Sequence, residues 1–489
     1  MRSLTSTIRK MIIFRNRPFG LLWTSQLLSN GGNWLLQVAV PVYVFRLTRS
    51  STDTGLTVVA ELMPLLFLGP VAGVFADRWP RLRIMISTNV VCAGAVSVLM
   101  LATRPGQLWL VLLAVVAENC SAAFFGPAYQ GLVPALVGRQ GELAAANAWS
   151  AAAGGAVRLT CAPLGGALYA VGGFQLPVAI DAGTYLAAAV LVCLIRTPWR
   201  AASRPAPARS DARPDVRSDA GPASQSAAAW SSSRDVVSAR LTDVVADLQI
   251  GVAALMADRA LTVLLAVSAL FLLGNGACSA LLVPYVVSTL GVRAASIGGL
   301  YSALGVGYVL STYVGRLAAS SQRLRVMVIG LLGLLVLSFV GLFDVHHFAT
   351  ALIFIALMGL GGGSFLLLEQ TILQRRAPDR VIGRISAAYS TVVMAATLAG
   401  ALLASLTVSW IGRPATLNLA IAVIASGGLV AILLPASVSV DGAAPSPPPR
   451  RPRRSARPAP DPDDHRVEWR PQCTLITRII RRYTARRAR

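Results

Sequence analysis

Charge is scarce in this chain. Only 13% of its 489 residues are Asp, Glu, Lys or Arg, and 55% are hydrophobic, with a mean hydropathy of +0.63. A soluble protein of this length carries about a quarter charged residues. That shortage excludes a soluble multidomain enzyme and a wholly disordered chain. Lysine is nearly absent: Lys10 stands alone among 44 basic residues. There are three histidines. His346 and His347 adjoin Asp344 and read as a solvated loop, so no metal site is expected. Six cysteines show no metal-ligand spacing, and five lie inside apolar blocks, which suits small hydrophobes. No Walker A sequence occurs, so ATP hydrolysis is not the drive. No nucleophile–base arrangement is visible, and the chain is not expected to be an enzyme.

Long apolar runs are what the chain has. Blocks such as 82–102, 260–287 and 415–435 are each long enough to cross a bilayer as a helix. Twelve spans are predicted, at 19–45, 55–76, 82–102, 107–126, 144–170, 174–196, 260–287, 294–316, 324–343, 348–369, 384–410 and 415–435. The predicted fold class is therefore an all-α membrane protein, with twelve transmembrane helices in two pseudo-symmetric six-helix bundles. Arg46, Arg49, Arg104, Arg293 and Arg413 fall in gaps on one side, and nearly all other basic residues fall on the opposite side. The net charge of +23 thus reads as a topology signal, with both termini cytoplasmic, and does not point to nucleic acid. The expected organisation is a cytoplasmic N-terminus (1–18), an N-terminal bundle (19–196), a linker (197–258), a C-terminal bundle (259–435) and a tail (436–489). The linker is rich in Pro, Ala, Ser and alternating charge and is expected to be mostly disordered. Its end, 240–257, has the spacing of a short interfacial helix. The tail ends in a basic stretch with Leu475, Ile476, Ile479, Ile480 and Tyr483 at helical spacing. Two readings of it stand: an anchor on anionic lipid, or a solvated tail.

Ionisable groups inside a span cost about 2.5–3.5 kcal/mol each at mid-depth. The first half holds Glu61, Glu118, Arg158 and Asp181, whereas the second has none at mid-depth, with Glu369 at the inner end of its span. A rise of 1.5 Å per residue puts Glu61, Arg158 and Asp181 near one level, with Glu118 slightly deeper. The tight turn between spans five and six lets Arg158 and Asp181 meet. That pair is either a proton or substrate site or a static packing pair. Glu61 has no evident permanent partner. In span one, Gln26, Asn30, Asn33 and Gln37 recur every three or four residues and share one helical face. Such a stripe must face another helix or a water-filled cavity.

Between spans two and three runs Gly73-Val-Phe-Ala-Asp77-Arg78-Trp-Pro-Arg81-Leu-Arg83. It resembles the signature loop of the major facilitator superfamily, G-x-x-x-D-R-x-x-R. The resemblance implies a cytoplasmic gating latch at Gly73, Asp77, Arg78 and Arg81, with Gly73 permitting close helix contact. After span eight, Gly315-Arg316 through Arg323-Leu-Arg325 looks like a degenerate copy without the acid. Ala162-Pro163-Leu-Gly165-Gly166 in span five resembles the superfamily's antiporter motif. Phe125-Gly-Pro127 to Val137, Glu142 to Asn147, and Gln374 to Ile385 are similar to the twelve-span drug:proton antiporter branch, of macrolide-efflux and siderophore-exporter type. Many relatives carry an Asp in span one near Asn33, and its absence shifts proton coupling toward Glu61 and Asp181.

The resemblance implies a secondary active transporter that exports a small amphiphilic molecule by alternating access, in exchange for protons. A dedicated exporter of one endogenous product and a transport-dead receptor remain as alternatives. Candidate substrate or proton residues are Asn30, Asn33, Gln37, Glu61, Glu118, Arg158 and Asp181. Pro163, Gly165 and Gly166 form the antiporter-like helix. No cofactor is expected beyond the proton gradient. The expected partners are a small-molecule substrate and the lipid bilayer, with no nucleic acid. A monomer in a bacterial cytoplasmic membrane is expected.

Overall fold

The computed structural model describes residues 16–137, 140–195, 248–291, 294–320, 324–378 and 381–435. Twelve long helices are found among them: α1 (Arg17–Thr48), α2 (Ser51–Arg78), α3 (Arg81–Val98), α4 (Leu108–Val137), α5 (Gln140–Gly172), α6 (Gln175–Cys193), α7 (Arg259–Thr289), α8 (Ala294–Ser320), α9 (Leu324–Asp344), α10 (Phe348–Arg376), α11 (Ile382–Ile411) and α12 (Arg413–Ala431). Ten are long and apolar enough to cross a membrane. The other two, α1 and α5, fall short in apolarity. The amide stripe lowers it in α1, and the glycines, Pro163 and Arg158 lower it in α5. Both pack against α6 within the first bundle.

Short turns make successive helices antiparallel. Asn16 caps α1, accepting from the Phe19 amide at 3.4 Å, and donates to the Leu136 carbonyl of α4 at 2.8 Å. Ser50 caps α2 by accepting from the Asp53 amide at 3.1 Å. Gly173, at φ +67°, turns the chain between α5 and α6, a conformation that side chains with a Cβ rarely adopt.

α1–α6 pack on one another, and so do α7–α12. The arginine-rich end of the molecule carries Arg17, Arg81, Arg83, Arg259, Arg375 and Arg376. There each bundle has its own apolar core, one around Phe19, Met85 and Leu132, the other around Leu255, Leu261 and Tyr389. Toward the opposite end a single core runs through both bundles. The junction is made there by close backbone approach. Gly298 of α8 lies on the Pro163 backbone of α5, and Gly55 of α2 lies on Ser405 of α11. The bundles are thus joined at the arginine-poor end.

Several boundaries differ from expectation. Helix α4 runs on to Val137 and α5 begins at Gln140, where a loop was expected over 127–143. Pro127 and Pro134 lie inside α4. Likewise α10 continues two turns past 369, which places Glu369 inside the helix and not at its end. In each case a helix outlasts its apolar block, so hydropathy alone stops too early. Within the stretch expected as a short interfacial helix, 240–257, residues 240–247 lie outside the described residues, and a helix is found at Leu248–Ala257. It is docked: Leu255 is fully buried, and Gly251 lies on the Arg384 carbonyl of α11. The rest of the linker and the basic tail lie outside the described residues.

Candidate functional site

Three acids from three helices gather in the N-terminal bundle. The organising side chain is Tyr185 of α6. Its hydroxyl donates to Asn33 Oδ1 of α1 at 2.5 Å and lies 2.9 Å from Glu118 Oε1 of α4. A phenol has one proton to give. If it goes to Asn33, Glu118 completes the chain only by donating, as the neutral acid. If it goes to Glu118, the carboxylate is served and Asn33 loses its donor. The hydrogen-bond pattern therefore depends on whether Glu118 carries a proton.

Asp181 lies one turn before Tyr185 on α6 and is fully buried. Its Oδ1 accepts from the Thr184 hydroxyl at 3.2 Å, and among the described residues its Oδ2 has no hydrogen-bond partner. The carboxylate rests on Gly32 of α1, where any Cβ would overlap it. Glu118 is close enough for its charge to act on both Asp181 and Glu61. Glu61 accepts from Gln37 Nε2 at 3.4 Å, and its charge also reaches Tyr301 of α8, across the junction between bundles. Among the described residues, the hydrogen-bond partners of these acids are amides and hydroxyls. A buried carboxylate without a cation is costly to keep charged.

The structure thus brings together Asn33, Gln37, Glu61, Glu118 and Asp181. Asn30 is half-buried one turn from Asn33, and Gln26 has a buried Oε1 without a hydrogen-bond partner among the described residues. The side chains of Arg158, Asp77 and Arg78 lie outside the described residues, so the expected Arg158–Asp181 pair does too. Arg81 donates to the Gly131 carbonyl of α4, fastening the α2–α3 turn to that helix. Among the described residues, nothing lies within 4 Å of where a Gly73 side chain would go. Gly165 sits on the backbone of Leu35, Gly166 is buried, and Pro163 makes the cross-bundle contact with Gly298.

Sequence reasoning missed Tyr185 and Tyr301. For Tyr185 a signal existed, since it lies four residues after Asp181 and so on the same helical face. Beside the acids, α1 and α5 enclose a crevice of about 640 Å³. Trp23, Leu27, Gly31, Trp149, Cys161 and Thr184 are among its walls. Among the described residues no charged side chain lines it, and its volume is in the range of drug-sized ligands.

The chain matches the Major Facilitator Superfamily over residues 22–308 and again over 264–485. It is 26% identical to the macrolide efflux protein A of Streptococcus pyogenes over 182 residues, which are 37% of this chain and 45% of that protein. The match thus spans less than half the length of that relative. It is also 26% identical to the enterobactin exporter EntS of Salmonella choleraesuis over 393 residues, 79% of this chain and 84% of that one. A bacterial homologue of the iron transporter ferroportin, solved in an inward-facing state, shares the fold with a TM-score of 0.59 at 18% identity. That alignment covers 85% of this chain and 98% of that one. A bacterial homologue of the human lysosomal transporter Spinster aligns with a TM-score of 0.56 at 13% identity, over 86% and 95% of the two chains. With its family match running through both bundles, this chain belongs to the Major Facilitator Superfamily.

Proposed function

We propose that the chain exports a small amphiphilic molecule across the cytoplasmic membrane by alternating access, driven by protons that bind the Glu61–Glu118–Asp181 cluster. The observation that carries this reading is the cluster itself: three carboxylates from three helices held by Tyr185, Thr184 and Gln37, with Asp181 fully buried. Efflux-type relatives support the direction of transport. The crevice between α1 and α5 receives the apolar part of the cargo, with Trp23 and Trp149 as walls. The arginine bias supports a cytoplasmic arginine-rich end, and with that orientation bundles joined at the arginine-poor end would admit cargo from the cytoplasm. Protonation of Glu118 redirects the Tyr185 hydroxyl, and the change passes to α1 through Asn33. For a neutral cargo, one proton entering under about 100 mV and one pH unit supplies roughly 3.7 kcal/mol. That sustains a gradient of about 500-fold.

The test is energised accumulation of a compound panel in an efflux-deficient bacterial host. Macrolides, cationic dyes, tetracyclines and catechol siderophores are compared with this chain and with its Glu61→Gln and Asp181→Asn variants. Depletion of one compound, abolished by an uncoupler and by one substitution, is the expected result. Uncoupler-insensitive depletion would refute proton drive. If nothing moves although the protein is in the membrane, broad efflux is wrong and a dedicated exporter is the better reading.

A further inference from the structure

The C-terminal bundle buries an acid that the reading above does not use. Glu369 of α10 is 8% exposed, although the helix continues two turns beyond it. Its Oε2 accepts from Ser268 Oγ of α7 at 2.9 Å, and Ser268 Oγ in turn accepts from the Tyr389 hydroxyl of α11 at 2.7 Å. Ser268 is fully buried and Tyr389 nearly so. The acid faces inward between α7 and α11, while its neighbours Leu366, Leu367 and Gln370 are exposed.

Along α10, Arg375 and Arg376 lie about two turns nearer the helix end, and Arg376 is paired with Asp258 at 3.1 Å. The same Asp258 caps α7, ten residues before Ser268, with Arg259 next to it. On α11, Arg384 precedes Tyr389 by more than a turn, and its carbonyl receives Gly251 of the docked short helix. Helix α8 meets α10 through Ser311 against Gly363 and Gly315 against Leu367. Arg316 of α8, one residue after Gly315, has its side chain outside the described residues. Helix α9 meets it through Leu335 against Gly361, and Arg325 at its start donates to the Leu434 carbonyl at 2.7 Å. Among the described residues the polar contacts of Glu369 are hydroxyls.

We propose that Glu369 is a proton-binding site of the C-terminal bundle, separate from the cluster in the N-terminal bundle. The chain Tyr389–Ser268–Glu369 can run in either direction, because hydroxyl protons rotate. With Glu369 ionised, Tyr389 donates to Ser268 and Ser268 donates to the carboxylate. With Glu369 protonated, its new O–H donates to Ser268, and the Ser268 proton turns toward Tyr389. A hydronium ion supplies the proton: one of its O–H bonds breaks as one forms on Glu369, leaving water and a neutral acid, and no covalent bond of the protein breaks. Glu369 and Ser268 are hydrogen-bonded in both forms without repacking, whereas in the protonated form Tyr389 becomes an acceptor and its own proton has no acceptor among the described residues. The site lies about 10 Å from the arginine-rich end of α10, at 1.5 Å per residue.

This assignment stands or falls separately from the N-terminal cluster. The experiment is infrared titration of purified protein in lipid nanodiscs between about pH 5 and pH 9, following the carbonyl stretch of buried carboxylic acids. Glu61→Gln/Glu118→Gln/Asp181→Asn protein is compared with the same protein carrying Glu369→Gln, and wild type is compared with Glu369→Gln alone. Thermal melts check that each variant is folded. A titrating carbonyl band that survives the triple substitution and disappears with Glu369→Gln is expected. Ser268→Ala, which removes the hydroxyl between Glu369 and Tyr389, should change how that band responds to pH. A Glu369 band constant across the range, or no band removed by Glu369→Gln in either background, would overturn the proposal. The single-variant comparison decides the matter if the triple variant does not fold.

Discussion

Both bundles bury carboxylates, and they do so in different company. In the N-terminal bundle Glu61, Glu118 and Asp181 come from α2, α4 and α6 and feel one another's charge. In the C-terminal bundle Glu369 stands among hydroxyls. The local device is similar: an acid on the fourth helix of the bundle, a tyrosine hydroxyl, and a short polar side chain from the first helix. Asn33 and Ser268 play that last part. Crowding makes the difference. Acids that repel one another cannot all ionise together, so their protons come and go in separate steps that belong to the set and not to any one residue. A lone acid exchanges its proton without that constraint. Depth differs as well: Glu118 lies ten residues from the arginine-poor end of α4, whereas Glu369 lies seven from the arginine-rich end of α10.

The comparison can be broken most forcefully at the crowded cluster. Glu118→Gln or Asp181→Asn should collapse the accumulation ratio from as much as about 500-fold to near unity, read by efflux of whichever panel compound is a cargo. A variant that keeps its full gradient would show that the cluster is only packing. Next comes the junction between bundles. Gly298→Leu drives a side chain into the Pro163 backbone, whereas Gly330 has open space and Gly330→Leu should be tolerated. Gly298→Leu should open the arginine-poor end and slow transport by at least about tenfold, and spin-label distances across the bundles would report the opening. Gly32→Ala places a methyl in the Asp181 carboxylate and should cost about 1–3 kcal/mol of stability, by analogy with overpacked cores. A thermal melt in detergent measures it.

Smaller effects sharpen the account. Tyr185→Phe leaves Glu118 and Asn33 without their shared hydroxyl and should cost about 1–3 kcal/mol. Tyr389→Phe removes one donor to Ser268 and should cost less. Equal losses would deny that Tyr185 serves two partners. Smallest is the Asp258–Arg376 pair, whose side chains are 33% and 27% exposed. Arg376→Ala should cost about 0–1 kcal/mol. Asp258→Ala should cost about 1 kcal/mol more, because Asp258 also accepts from the Ala260 and Leu261 amides at the start of α7.

The helices were legible because a bilayer demands apolar blocks about 20 residues long, and the chain has them. Their ends were not legible where amphipathic turns continue beyond the apolar part, as in α4 and α10. That error hid Glu369, which hydropathy placed at a span boundary. The amide stripe was readable from its spacing, and a rise per residue put Glu61 and Asp181 near one level. What joins them was not readable. A tyrosine in an apolar helix looks like packing until its hydroxyl is seen between Asn33 and Glu118. Gly32 likewise reads as a weak point of α1, although it is the floor beneath Asp181.

The most direct measurement is uphill transport by purified protein in proteoliposomes, using the compound that the cellular panel identifies. An imposed pH gradient should make the wild-type protein accumulate that compound against its own gradient, with protons moving the opposite way. Glu61→Gln/Glu118→Gln/Asp181→Asn protein should only let the compound run downhill. Uphill accumulation by that triple variant, at the wild-type level and still abolished by a protonophore, would contradict the assignment of proton coupling to the N-terminal cluster.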